Sequence, residues 1–219
     1  MNQPPRSFKG LLWTGLILGG ATVLLAFLMA ALKAQQVALG KPLPVLAQVS
    51  DFTLTNQNGH AVSLASLRGL VWVGDIIFTR CPGPCLKMTR QMQELEQALP
   101  PKSSAKLVTL TTDPDFDTPP VLKTYAERFG ADASRWLFLT GTKKQIAGLA
   151  IDSLKLTAIE KKPQERDSAQ DLFVHSTIFV LVDKRGQLRG IFETTGEGID
   201  PRQVQTQILA ALRRLEHEP

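Results

Sequence analysis

Two cysteines in a chain of 219 residues stand four positions apart, in Phe78-Thr79-Arg80-Cys81-Pro82-Gly83-Pro84-Cys85. Two cysteines cannot build a disulfide framework, so a pair this close points to a local redox or metal site. If the turn between them is helical, their Cα atoms lie roughly 6 Å apart. That separation permits a disulfide, and equally permits both sulfurs to hold one ion. Pro84 is a favoured residue for the first turn of a helix. At a helix start, unpaired N–H groups and the dipole stabilise a thiolate, and the adjoining Arg80 is expected to favour it further.

There are three histidines: His60, His175 and His217. His60 adjoins a hairpin turn, and His217 suits the last turn of a C-terminal helix. His175, in Val174-His175-Ser176-Thr177, immediately precedes an apolar run. Two thiolates and one imidazole make a soft, low-coordinate ligand set, which suits Cu(I) and also accommodates Cu(II) or zinc. Structural zinc normally takes a fourth strong ligand. Met88 and Met92 fall at helical spacing and are assigned to core packing.

The elements that must position these residues follow from the apolar pattern. Phe52 to Leu64 reads as a hairpin turning at Asn58-Gly59. Leu70 to Phe78 is apolar and rich in β-branched residues, a buried strand. Pro84 to Leu99 carries a helical face of Leu86, Met88, Met92, Leu95 and Leu99. Leu107–Thr111 and Trp136–Leu139 read as strands, Pro119–Phe129 and Lys143–Ala150 as helices, and 156–171 as a long loop. Thr177–Val182 and Leu188–Glu193 form a hairpin, and 201–215 a closing amphipathic helix. The alternation predicts an α/β fold with a mixed sheet flanked by helices. The order of buried strand, cysteine turn and helix is the layout of thioredoxin-like folds. In that layout the strand after His175 starts beside the cysteine turn, and His175 occupies the place where a thioredoxin carries its cis-proline.

Ahead of this domain, Leu11 to Leu32 contains no charged residue. Its 22 residues would span roughly 33 Å as a helix, enough for a bilayer core. It is longer than the apolar region of a signal peptide and lacks a small-residue cleavage site close behind it. Arg6 and Lys9 in front favour an N-inside orientation. The expected organisation is a cytoplasmic tail at 1–10, a transmembrane anchor at 11–33, a linker at 34–48 and a thioredoxin-like metal-binding domain at 49–219. The domain is then expected on the periplasmic side of an inner membrane, where the oxidation state of the thiols becomes a functional variable. Gly15 and Gly19 form a GxxxG pair. Net charge is +5, with Lys and Arg interspersed among Asp and Glu, and no basic stretch carries interleaved aromatics, so nucleic-acid binding has no support.

Three blocks, in order behind the apolar segment, carry a family resemblance: FTRCPGPC, then Thr112-Asp113-Pro114-Asp115-Phe116-Asp117-Thr118-Pro119, then His175-Ser176 with an apolar strand and Asp183-Lys184-Arg185-Gly186. From about residue 45 onward the chain resembles the Sco/SenC copper proteins, which assist assembly of the copper centre of cytochrome c oxidase. The resemblance implies copper on Cys81, Cys85 and His175. It also implies a copper-bearing oxidase subunit as recipient, with other copper chaperones or thiol reductants as further partners. Gly83 and Leu86 depart from the family pattern, which often has an acidic residue and a proline there.

Asp117 is expected to cap the helix that starts at Pro119. Asp113 is expected either to orient His175 or to belong to a docking face. A rival function uses Cys81 and Cys85 as the redox pair of a thiol–disulfide oxidoreductase. A thiol peroxidase ranks lower, because Gly74 and Phe78 stand where its motif needs Pro and Thr.

Overall fold

The computed structural model describes residues 17–30, 42–81, 83–166 and 172–218, apart from the side chains of 158, 159, 163, 174 and 175. Two compact units are present, Met1–Pro42 and Leu43–Pro219. In the first, residues 17–30 form helix α1, with exposed Ile17, Leu18, Val23, Leu24 and Phe27. No helix among the described residues is long and apolar enough to cross a membrane; the rest of the expected anchor, including Gly15, lies outside them.

The second unit is built on an eight-stranded sheet. Its strands are β1 (Ala47–Gln48), β2 (Thr53–Asn56), β3 (Ala61–Ser63), β4 (Trp72–Ile77), β5 (Lys106–Thr111), β6 (Trp136–Thr140), β9 (Ile178–Val182) and β10 (Gln187–Glu193), in the spatial order β1-β10-β9-β4-β5-β6-β2-β3. β4, β5 and β6 are parallel; β9 runs antiparallel to β4. A separate two-stranded sheet pairs β7 (Ala158–Glu160) with β8 (Phe173–His175).

The central strands read as unbroken apolar runs because both faces are covered. Along β4, Val73 and Ile77 face one core, while Trp72 and Ile76 face the other. The first core packs the sheet against α3 (Pro84–Ala98), α4 (Pro119–Arg128) and α6 (Pro201–His217), through Met88, Met92, Leu122, Tyr125, Ile208 and Leu212. The second packs it against α2 (Leu64–Leu67), α5 (Lys143–Ala147) and a π-helical turn, Gly148–Ser153. Met88 and Met92 are fully buried, as their spacing implied.

Three segments differ from the sequence expectations. The region 156–171 is not simply a loop, since it contains β7 and a short 3-10 turn at Pro163–Glu165. The helix expected over 143–150 stays α-helical only to Ala147 before widening into the π turn. The linker expected to run through Gln48 ends in a strand: Ala47 and Gln48 pair with Leu188 and Gln187, and Leu43 already packs against the first core. Arg189 fixes this entry point, because its guanidinium donates to the carbonyls of Leu43 and Pro44 and pairs with Asp183 and Glu218.

Candidate metal and redox centre

The cysteine turn begins where β4 ends, at the carboxyl edge of the parallel strands. Phe78 follows the strand, and Cys81 N–H donates back to Phe78 O at 3.1 Å, a tight turn. Pro84 then opens α3, with Gly83 as its N-cap and no side-chain cap. Cys85, the second helical residue, points into the first core and is 0 % exposed, while Cys81 is 6 % exposed. Both carry the reduced thiol.

Phe78 N–H points at Cys85 Sγ at 3.5 Å, and the two thiols share a hydrogen bond. That bond and burial push the Cys85 thiol far above its ordinary range. This corrects the expectation of a ready thiolate. The N–H of Phe78 pulls the other way without outweighing them, and the charge of Arg80 is engaged elsewhere. Arg80 reaches Asp113 Oδ2 at 2.5 Å and lies 4.0 Å over the ring of Phe116. A metal ion would therefore displace a proton from Cys85 as it bound.

Behind the thiols, Thr89 Oγ1 donates to Cys85 O at 2.8 Å and meets Tyr125 OH at 2.8 Å. Burial also raises the Tyr125 phenol. Asp75, fully buried on β4, adds charge repulsion that lifts both Cys85 and Tyr125. It sits within an apolar run, where periodicity gave no sign of a carboxylate beside the thiols.

His175 is the last residue of β8, opposite Ala158. Its side chain lies outside the described set, so the structure places its backbone only. Two observations locate that backbone. In the antiparallel β4–β9 pair, Trp72 faces Val182 and Gly74 faces Val180, so the chain just before β9 lies toward the cysteine end of β4. The hairpin is also pinned there by Phe173, whose ring packs edge-on against Phe78 at 5.2 Å. Among the described residues, no group of three or more His, Cys, Asp or Glu side chains could hold a metal ion.

The acidic block at 113–117 sits against the same turn. Asp113, nearly buried, engages Arg80, and its own N–H donates to Thr111 Oγ1. Asp117 does not cap α4: the N-cap is Thr118, without a side-chain bond. Its carboxylate is fully buried and accepts from Thr79 N–H, Thr79 Oγ1 and Thr111 Oγ1. Burial raises the Asp117 carboxyl despite these donors, which pull it the other way. The sequence pattern Asp-Thr-Pro suits either residue as a cap, which is why the role of Asp117 escaped the sequence reading. His60 and His217 are exposed and remote from the turn in sequence and register.

The family model described as SCO1/SenC matches residues 42–213. The SCO1 protein homolog of Bacillus subtilis (strain 168) is 36% identical over 147 residues, covering 66% of this chain and 73% of that protein. The structure of BsSco, described as identifying a disulfide switch in a member of the Sco family of cytochrome c oxidase assembly proteins, superposes with a TM-score of 0.63. It is 29% identical and covers 78% of this chain and 98% of that one. Bradyrhizobium japonicum ScoI with copper bound gives a TM-score of 0.62 at 25% identity, covering 77% of this chain and 99% of that one.

Proposed function

The chain belongs to the SCO1/SenC family, and on that footing we propose that it carries a single copper ion on Cys81, Cys85 and His175 for the copper-bearing subunit of cytochrome c oxidase. The observation that carries this reading is the pairing of two hydrogen-bonded thiols at the end of β4 with the backbone of His175, brought to the same sheet edge by β8. Two sulfurs and an imidazole suit Cu(I) in particular. Only the dithiol form offers both sulfurs, so loading depends on the redox state of the pair. Arg80, Asp113 and Phe116 form the rim beside Cys81 that an approaching recipient would meet.

The geometry also favours a second role at the same site. Cys81 is the more accessible sulfur, so a thiol–disulfide exchange with a partner's cysteines would begin there and finish through Cys85. Such an activity would prepare a recipient's cysteines for copper, with other copper chaperones or thiol reductants resetting the pair.

Residues 11–33 serve in this reading as the membrane anchor, after a cytoplasmic tail at 1–10, with the thioredoxin-like domain on the periplasmic side. The uncharged run and the apolar helix at 17–30 support it. The deciding experiment is a Cu(I) titration of the reduced full chain in detergent, against a competing chelator. One equivalent is expected for the parent and a loss of at least about a hundredfold in affinity for His175→Ala, since removal of one ligand of three costs several kcal/mol. Equal copper uptake by both proteins would sink the three-ligand assignment.

A further inference from the structure

The residues just ahead of Cys81 are gripped twice from the 111–117 segment. Asp113 holds Arg80, and Asp117 holds Thr79 through both its backbone N–H and its hydroxyl. The grips are linked. The N–H of Asp113 donates to the Thr111 hydroxyl, which donates in turn to Asp117. The backbone N–H of Asp117 closes the loop on Asp113 O at 2.8 Å. A fully buried carboxylate is costly to keep, and among the described residues the donors to this one are two hydroxyls and an amide. It does not cap α4. What it does touch is the turn that presents Cys81.

That turn must move if the thiols oxidise. Closing a disulfide draws the two sulfurs from hydrogen-bonding separation to about 2.05 Å. Cys85 is held in α3 and packed in the core, so the adjustment falls on Cys81 and the residues before it. Among them, Asp117 pins Thr79. We propose that Asp117 is a positioning residue that holds Cys81 and Cys85 in the dithiol, metal-accepting form by fixing Thr79, so that its loss tips the pair toward the disulfide. The inference rests on the reading of Cys81 and Cys85 as a redox-active copper pair, and it assigns the regulation of that pair to a residue that touches neither sulfur.

The test is metal-free. The full chain in detergent is equilibrated with mixtures of reduced and oxidised dithiothreitol. The Cys81–Cys85 disulfide takes two electrons and two protons from the dithiol, giving two thiols and cyclic oxidised dithiothreitol. The fraction of each form is read by thiol alkylation. Asp117→Ala is expected to shift the equilibrium constant toward the disulfide by about tenfold, equivalent to about 30 mV for two electrons. Asp117→Asn should stay within about threefold of the parent. Its amide oxygen can accept from Thr79 N–H and Thr111, while its nitrogen donates to a reversed Thr79 hydroxyl.

Should Asp117→Ala fail to fold, Thr79→Val decides. It removes one donor and keeps the backbone bond, and a smaller shift in the same direction is expected. An unshifted equilibrium in folded Asp117→Ala, or in Thr79→Val where the alanine protein does not fold, overturns the proposal, as does an asparagine variant displaced as far as alanine. Because no copper enters the measurement, a parent protein that binds no Cu(I) would defeat the functional reading while leaving this result to stand or fall by itself.

Discussion

The ring of Phe173 meets the ring of Phe78 edge-on, with centroids 5.2 Å apart and planes at 61°. Phe78 is the last residue of the apolar run before the cysteine turn, and Phe173 lies two residues before His175. One aromatic contact therefore ties together the two segments on which the proposed three-ligand site draws.

Cutting that tie should cost both stability and metal. Phe173→Ala removes a nearly buried ring and is expected to destabilise the domain by about 3 kcal/mol. Phe173→Leu keeps most of the volume and forfeits the aromatic pair, about 1 kcal/mol. Urea unfolding measures both. In Cu(I) competition, Phe173→Ala should lose more affinity than Leu67→Ala, a cavity in the opposite core. Equal losses would show that general loosening, not this contact, sets the site.

The raised Cys85 thiol makes the reduced protein sensitive to alkali. An unfolded cysteine ionises near pH 8.5, whereas the buried one stays protonated well above that. Above the unfolded value the native state holds a proton that the unfolded state has lost, so stability is complete below about pH 8.5 and falls as pH rises. The slope approaches about 1.4 kcal/mol per pH unit for one group. Urea unfolding of the reduced protein from pH 7 to 10 should show this decline, and Cys85→Ser should lack it. The difference between the two proteins isolates the thiol from Tyr125, whose raised phenol acts in the same direction at higher pH. Parallel curves would refute the assignment.

Arg80 is about half exposed, so its pairing with Asp113 is only partly shielded. Arg80→Ala is expected to cost about 1 kcal/mol at low ionic strength. In 1 M salt, where the screening length is about 3 Å, the loss should shrink, leaving the smaller contribution of the stack on Phe116. A cost unchanged by salt would mean that the stack, not the ion pair, holds Arg80.

Arg189 is almost fully buried beside Asp183, at 2.6 Å. Burial works against its charge, yet Asp183 and Glu218 hold the guanidinium more firmly protonated than usual. Arg189→Met strands Asp183 without its cation and should destabilise by about 3–5 kcal/mol. Copper affinity of the folded fraction should not change, since Arg189 lies toward the opposite end of the sheet from the thiols. A variant that unfolds normally but binds copper poorly would contradict that separation.

Much of this architecture was legible in the residues. Leu70–Phe78 announced a strand buried on both faces, and the stripe from Leu86 to Leu99 announced α3, because burial writes itself into apolar spacing. The Cys81–Cys85 pair was legible from spacing alone. Other features were not. β7 and β8 are strands of three residues each, too short for pairing to leave a periodic trace. The π turn after Ala147 keeps a helical apolar pattern while changing its hydrogen-bond register. The protonation of Cys85 could not be read locally. Helix start and Arg80 both argued for a thiolate, but the hydrogen bond with Cys81 and burial raise the thiol, and Arg80 is paired with Asp113, thirty-three residues away. Asp117 was misassigned because a buried acceptor and a helix cap share one sequence pattern.

The clamp of Arg189 on Leu43 has a mechanical consequence. Ala47 faces Leu188, which faces Val182, which faces Trp72, so the chain enters the domain at the starting end of β4. The cysteine turn follows the other end, six residues and about 20 Å away. With residues 11–33 as the proposed anchor, tension arriving ahead of Leu43 would be borne by Arg189 and the β1–β10 pairing. The load then falls on the end of the domain away from the thiols.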